Sequence, residues 1–131
     1  MKNNRYVMLV CLLIGLAIGL VPSQIIAWRM FRMEQVRSER VFLLMATGVG
    51  QSRDDLAKWL GPPDRILRTA NELKQSNPGG FVPSRPMAHE VWLYFRNSFV
   101  VYVFLSPDAI IETSYVVARK EWRCQARDDK P

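Results

Sequence analysis

The sequence predicts an α+β chain: an N-terminal transmembrane helix followed by a small two-layer domain, its helices packed on a three-stranded antiparallel sheet. Three observations predict this. Residues 6–21 carry no charge, residues 50–64 hold a short helix with both start and stop signals, and three β-forming runs succeed one another from residue 90. The 131 residues leave room for one folded domain and an appendage. Eighteen Lys or Arg stand against twelve Asp or Glu, and of the basic residues only Lys2 and Arg5 precede residue 28. Such a composition excludes collagenous, low-complexity and acidic disordered chains. Two thiols, Cys11 in the apolar stretch and Cys124 near the C-terminus, do not make a disulfide scaffold.

A helix needs about 20 apolar residues, at about 1.5 Å each, to cross a hydrocarbon core of about 30 Å. Residues 6–28 number 23, with Ser23 and Gln24 the clearly polar members. Tyr6 and Trp28 stand at the two ends, where amphipathic rings favour the headgroup layer. Residues 1–28 therefore read as a short tail and one transmembrane helix that contains Pro22. A cleavable signal peptide shares the basic start and apolar middle. Its cleavage would fall at Val21-Pro22-Ser23 or Ile25-Ile26-Ala27 and release a secreted soluble binding or inhibitor protein. Met8-Leu9-Val10 before Cys11 is not a lipobox. Gly15 and Gly19 would let two such helices approach closely as a homodimer. Arginines after the span weigh toward a cytoplasmic C-terminal part, whereas a short uncleaved anchor ordinarily exports the rest of its chain. The expectation is a single-pass membrane protein with an extracytoplasmic domain.

Residues 29–40 read as a basic juxtamembrane stalk. They carry no apolar stripe, and Arg29, Arg32, Arg37 and Arg40 spread around much of a helical wheel as candidate contacts for anionic lipid headgroups. A domain spans 41–117. Residues 41–45 look like the last turns of a helix docking onto it, and Thr47-Gly48-Val49-Gly50 ends that helix. Ser52 is an N-cap with Asp55 three residues on, and both Asp54 and Asp55 favour the helix dipole. Gly61 offers a left-handed C′ residue and Pro62-Pro63 forbid continuation, which predicts a helix from Arg53 to Leu60. Residues 64–70 are compatible with a short strand. Residues 71–89, rich in Pro and Gly, read as a long flexible loop.

From Glu90 the chain alternates β runs and turns. A two-residue turn at Asn97-Ser98 pairs Phe95 with Val100 and Trp92 with Val103. A four-residue turn over 106–109 pairs Leu105 with Ile110 and Val103 with Glu112. One face then carries Val91, Leu93, Phe95, Val100, Tyr102, Phe104, Ile111, Thr113, Tyr115 and Val117, and the preceding helices must cover it. The other face carries Glu112 and Ser114 beside Trp92, Tyr94, Arg96, Val101 and Val103, a mixture suited to a water-facing or partner-facing surface. Aromatic and Arg side chains concentrate at protein interfaces, so the last five are the candidate partner-binding face. Residues 118–131 read as a solvated basic tail.

No chemical constellation accompanies this plan. His89 is the only histidine, and a lone His–Glu neighbour falls short of a metal site or a triad. Neighbouring Asp54 and Asp55 point about 100° apart on a helix, which suits capping rather than paired-carboxylate catalysis. The basic tail brings no recognition helix or aromatic RNA motif. The expectation is a non-enzymatic protein with no catalytic, metal or cofactor-binding residues and no nucleic-acid partner.

The segment Gly50-x-Ser52-x-x-Asp55-Leu56-x-x-x-Leu60-Gly61-x-Pro63-Asp64, the Trp92-x-Tyr94 strand and a strand ending in Phe104 together resemble the SmpA/OmlA (BamE-like) family over residues 42–117. The resemblance implies an α-α-β-β-β domain in the cell envelope. It also implies an accessory or scaffold role beside a protein partner in a larger membrane complex.

Overall fold

A computed structural model describes residues 2–82 and 90–128, with side chains described for 4–82 and 90–124. The chain divides into two compact units, Met1–Arg37 and Ser38–Pro131. The first unit belongs to helix α1 (Lys2–Ala46). Every residue from 4 to 37 is exposed, Leu13, Ile14, Leu20 and Ile26 among them. Pro22 sits inside the helix without an N–H to return to the preceding turn. One residue on, the Ser23 hydroxyl donates to the Leu20 carbonyl at 2.8 Å.

The second unit is α+β. After the end of α1 come α2 (Arg53–Leu60), β1 (Arg65–Leu67), α3 (Ala70–Gln75), a 3-10 turn (Pro78–Gly80), β2 (Glu90–Phe95), β3 (Phe99–Leu105), β4 (Ile111–Ala118) and α4 (Arg119–Asp128). The four strands form one antiparallel sheet in the order β1-β2-β3-β4. The expected three-stranded sheet is therefore one strand short: β1 pairs along β2, with Arg65 opposite Leu93 and Leu67 opposite Val91.

α2 forms where its signals stand. The Ser52 hydroxyl accepts from the Asp55 N–H at 3.1 Å and donates to the Asp55 carboxylate at 2.8 Å. That hydroxyl is the main reason the Asp55 carboxyl sits below its ordinary pKa. The stop differs in detail. Gly61 takes φ 77°, ψ −166°, which is not left-handed helical but a region essentially reserved for glycine.

Two elements replace expected irregular chain. α3 occupies the start of the expected loop because Thr69 and Glu72 make a full capping box: the Glu72 N–H donates to the Thr69 hydroxyl, and the Thr69 N–H returns to the Glu72 carboxylate, each at 3.2 Å. Residues 83–89, including His89, lie outside the described residues. In place of the expected tail, α4 begins directly after β4, its first N–H donating to the Ser98 carbonyl at 2.8 Å.

The sheet is covered on both sides, so the unit has three layers rather than two. Leu43 of α1 and Leu56 of α2 pack with Trp92, Tyr94, Val101 and Val103 on one face. Leu73 of α3, Val82 and Trp122 of α4 pack with Leu93, Val100, Tyr102 and Phe104 on the other. β3, FVVYVFL, is buried at every position. A strand buried on both faces reads as an unbroken apolar run instead of an alternation.

The β2–β3 register is the expected one, Phe95 opposite Val100 and Trp92 opposite Val103. The β3–β4 register is two residues away from expectation, with Val103 opposite Ser114 rather than Glu112. Two local features add one residue each. Ala109 adopts φ 60°, and the Ser106 N–H bonds the Ile110 carbonyl at 2.9 Å, so the loop is the three residues 107–109. A bulge then leaves Glu112 unpaired between the Leu105–Ile111 and Phe104–Thr113 pairs. The first shift moves Ile111 to the Trp92 face; the second restores Thr113, Tyr115 and Val117 to the side expected of them.

Candidate functional site

Of the five residues expected to form an open partner-binding face, Trp92, Tyr94, Val101 and Val103 come together as core, while Arg96 stays partly exposed beside them. Trp92 is 8% exposed, while Tyr94, Val101 and Val103 are 0% exposed under α1 and α2. The expected face is not a surface in this fold, because both sides of the sheet are occupied by helices. Polar atoms there are satisfied internally: the Trp92 indole N–H donates to the Glu90 carboxylate at 2.9 Å, and the Tyr94 hydroxyl to the Gly61 carbonyl at 3.2 Å. Burial pushes the Tyr94 hydroxyl up to about 12.

Arg96 remains half-exposed and is committed to the fold. Its Nη2 donates to the Leu60 carbonyl at 2.6 Å, its Cζ lies 5.1 Å from the Tyr94 ring centroid, and Nη1 stands 3.8 Å from the Asp64 carboxylate.

An apolar surface that the strand pattern did not point to lies elsewhere in the second unit. Phe42 of α1 and Trp59 of α2 are 43% and 62% exposed, with ring centroids 6.1 Å apart in an edge-to-face arrangement. Val41 and Met45 on the same stretch of α1 are also exposed. The sequence carried no signal for it: at three positions Trp59 lies about 60° from the inward Leu56 on the α2 wheel, so its exposure is decided by where the sheet ends beneath the helix and not by spacing.

In the first unit, Arg29, Arg32 and Arg37 are all exposed, and Arg40 is exposed in the second. Among the described residues none of the four enters an ion pair. At about 100° per residue, Arg29, Arg32 and Arg37 fall within an arc of about 140°, so they share one side of α1 instead of ringing it. The Arg32 Cζ lies 4.4 Å from the Trp28 ring centroid. Gly15 and Gly19 are open, with nothing within 4 Å of where a Cβ would stand.

Phe81, Lys120, Glu121 and Cys124 line an open hollow of about 430 Å³ beside α4. Among the described residues no three His, Cys, Asp or Glu side chains gather as metal ligands. Helix α1 is long and apolar enough to cross a membrane, a property shared by membrane anchors and signal sequences. No protein-family model matches this chain, and comparison with curated proteins and with solved structures gives no match.

Proposed function

We propose that this chain is a single-pass membrane-anchored, non-enzymatic interaction module of the cell envelope. The observation that carries the reading is the exposed apolar stretch of α1, whose Leu, Ile and Val side chains find no cover among the described residues. Apolar surface of that extent is stable in hydrocarbon and costly in water. The order of the α1 end, α2 and the β2-β3-β4 meander supports a BamE-like relationship; β1 and α3, inserted between α2 and β2, depart from the plain α-α-β-β-β plan. The exposed Phe42–Trp59 pair supports the protein-binding part of the reading, since aromatic side chains anchor interfaces.

Alkaline extraction of cell membranes, combined with the intact mass of the extracted chain, tests this reading. A chain that resists extraction and retains residues 1–28 is the expected result. Recovery from the soluble fraction with a start near residue 24 or 28 overturns anchoring and leaves the secreted alternative. A photo-crosslinking residue at position 59 tests the interaction surface; a defined protein adduct there, absent at position 56, is expected.

A further inference from the structure

We infer that Arg29 and Arg32 form a binding site for anionic phospholipid headgroups at the end of the α1 span, with the Trp28 ring as its apolar support. The inference rests on reading residues 6–28 as membrane-spanning. No acidic residue precedes Glu34, so every charged side chain in residues 1–33 is positive. Neither arginine enters an ion pair among the described residues, and both are exposed. The Arg32 guanidinium carbon lies 4.4 Å from the Trp28 ring centroid. A guanidinium stacked on an indole keeps its planar fork of N–H donors available, and that fork matches two oxygens of one phosphate.

Axial geometry then selects which arginines take part. For a helix along the membrane normal, Arg29 and Arg32 lie about 1.5 and 6 Å beyond Trp28. The headgroup layer is roughly 5–7.5 Å deep on each side, half the difference between a core of about 30 Å and a bilayer of about 40–45 Å. Arg37 lies about 13.5 Å out and clears that layer. Phe31, 61% exposed and about 4.5 Å beyond Trp28, adds an apolar side chain at the depth of the two arginines. Charge selects the occupant: two unpaired cations at this depth favour anionic headgroups over zwitterionic ones.

The test is electron spin resonance of the full-length chain in phosphatidylcholine vesicles, with spin-labelled phosphatidylglycerol compared against spin-labelled phosphatidylcholine. A phosphatidylglycerol preference between about fivefold and about thirtyfold, the range for one to two such charges, is expected for the unmodified chain. It falls to near unity in Arg29→Gln/Arg32→Gln and persists in Arg37→Gln. Equal association of the two lipids with the unmodified chain, or a preference that survives Arg29→Gln/Arg32→Gln, overturns the inference. Alkaline extraction of the same vesicles reads the anchor separately. A chain that stays embedded without lipid preference removes only the headgroup site, whereas a chain washed off removes the anchoring reading with it.

Discussion

Arg96 donates from Nη2 to the carbonyl of Leu60 at 2.6 Å, so a residue at the β2–β3 turn closes the C-terminal end of α2. The last carbonyls of a helix lack intrahelical partners, and a cation at that end also meets the negative pole of the helix dipole. The bond ties two elements 36 residues apart. It turns an arginine that looked like an interface residue into a fastening within the fold.

Replacing Arg96 by Ala is expected to destabilise the second unit by about 1–2 kcal/mol, as for a charge-assisted hydrogen bond with a partly exposed donor. Urea unfolding of the full chain in detergent, read by circular dichroism, checks this. Raising the salt concentration should change the effect little, because the Asp64 pairing at 3.8 Å is partly exposed and contributes little. A strongly salt-dependent loss would assign the role to that ion pair instead.

The burial of Tyr94 and the exposure of Trp59 set opposite expectations for two aromatic residues. Tyr94→Ala should cost about 3–5 kcal/mol, the range for removing a buried ring. Trp59→Ser should cost no more than about 1 kcal/mol, chiefly the edge contact with Phe42. Unfolding midpoints of the two variants separate the cases, and comparable losses in both would contradict the assignment of Tyr94 to core and Trp59 to surface.

Ala109 holds a positive φ in the β3–β4 loop, and its carbonyl accepts the Arg53 N–H at 2.8 Å. A left-handed alanine carries about 1–2 kcal/mol of strain that glycine avoids, offset in part by the greater freedom of glycine in the unfolded chain. Ala109→Gly should therefore stabilise by about 0.5 kcal/mol. A bulky β-branched residue there should destabilise. Thermal unfolding of the pair of variants, Ala109→Gly and Ala109→Val, tests both signs.

Burial raises both Tyr94 and Tyr102 to about 12, from an ordinary value of 10. Tyr102 accepts the Trp122 indole N–H at 2.8 Å and donates to the Ser76 carbonyl, so its proton is used in the fold. Because the folded chain holds these protons more tightly than the unfolded one, stability is complete below pH 10 and declines as pH rises toward 12. Denaturant midpoints over that window should fall steeply, and Tyr102→Phe should flatten the slope. An unchanged slope in Tyr102→Phe would show that the hydroxyl does not titrate with unfolding.

Local signals made much of this fold legible. Ser52, Gly61 and Pro62 bound α2 at the expected residues; Asn97-Ser98 set the β2–β3 register; and Thr69-Ala70-Asn71-Glu72 spelled out α3, although the prolines and glycines after it drew the segment into a loop reading. Caps and two-residue turns act over three or four residues, so sequence alone suffices for them. The candidate site was less legible. α4 carries one large apolar side chain, Trp122, and no stripe, yet Trp122 packs edge-to-face on Phe95 with ring centroids 5.6 Å apart and covers Tyr102.

By itself the sequence determined an apolar leading helix, a capped α2 and an antiparallel meander with a basic segment after the apolar run. Only the tertiary structure decided that the Trp92–Tyr94–Val101–Val103 side is core, that Phe42 and Trp59 stay in solvent, and that β4 is displaced by two residues. The reason is physical. Alternation along a strand tells which residues share a face, but whether a face meets water depends on cover supplied by elements distant in the chain.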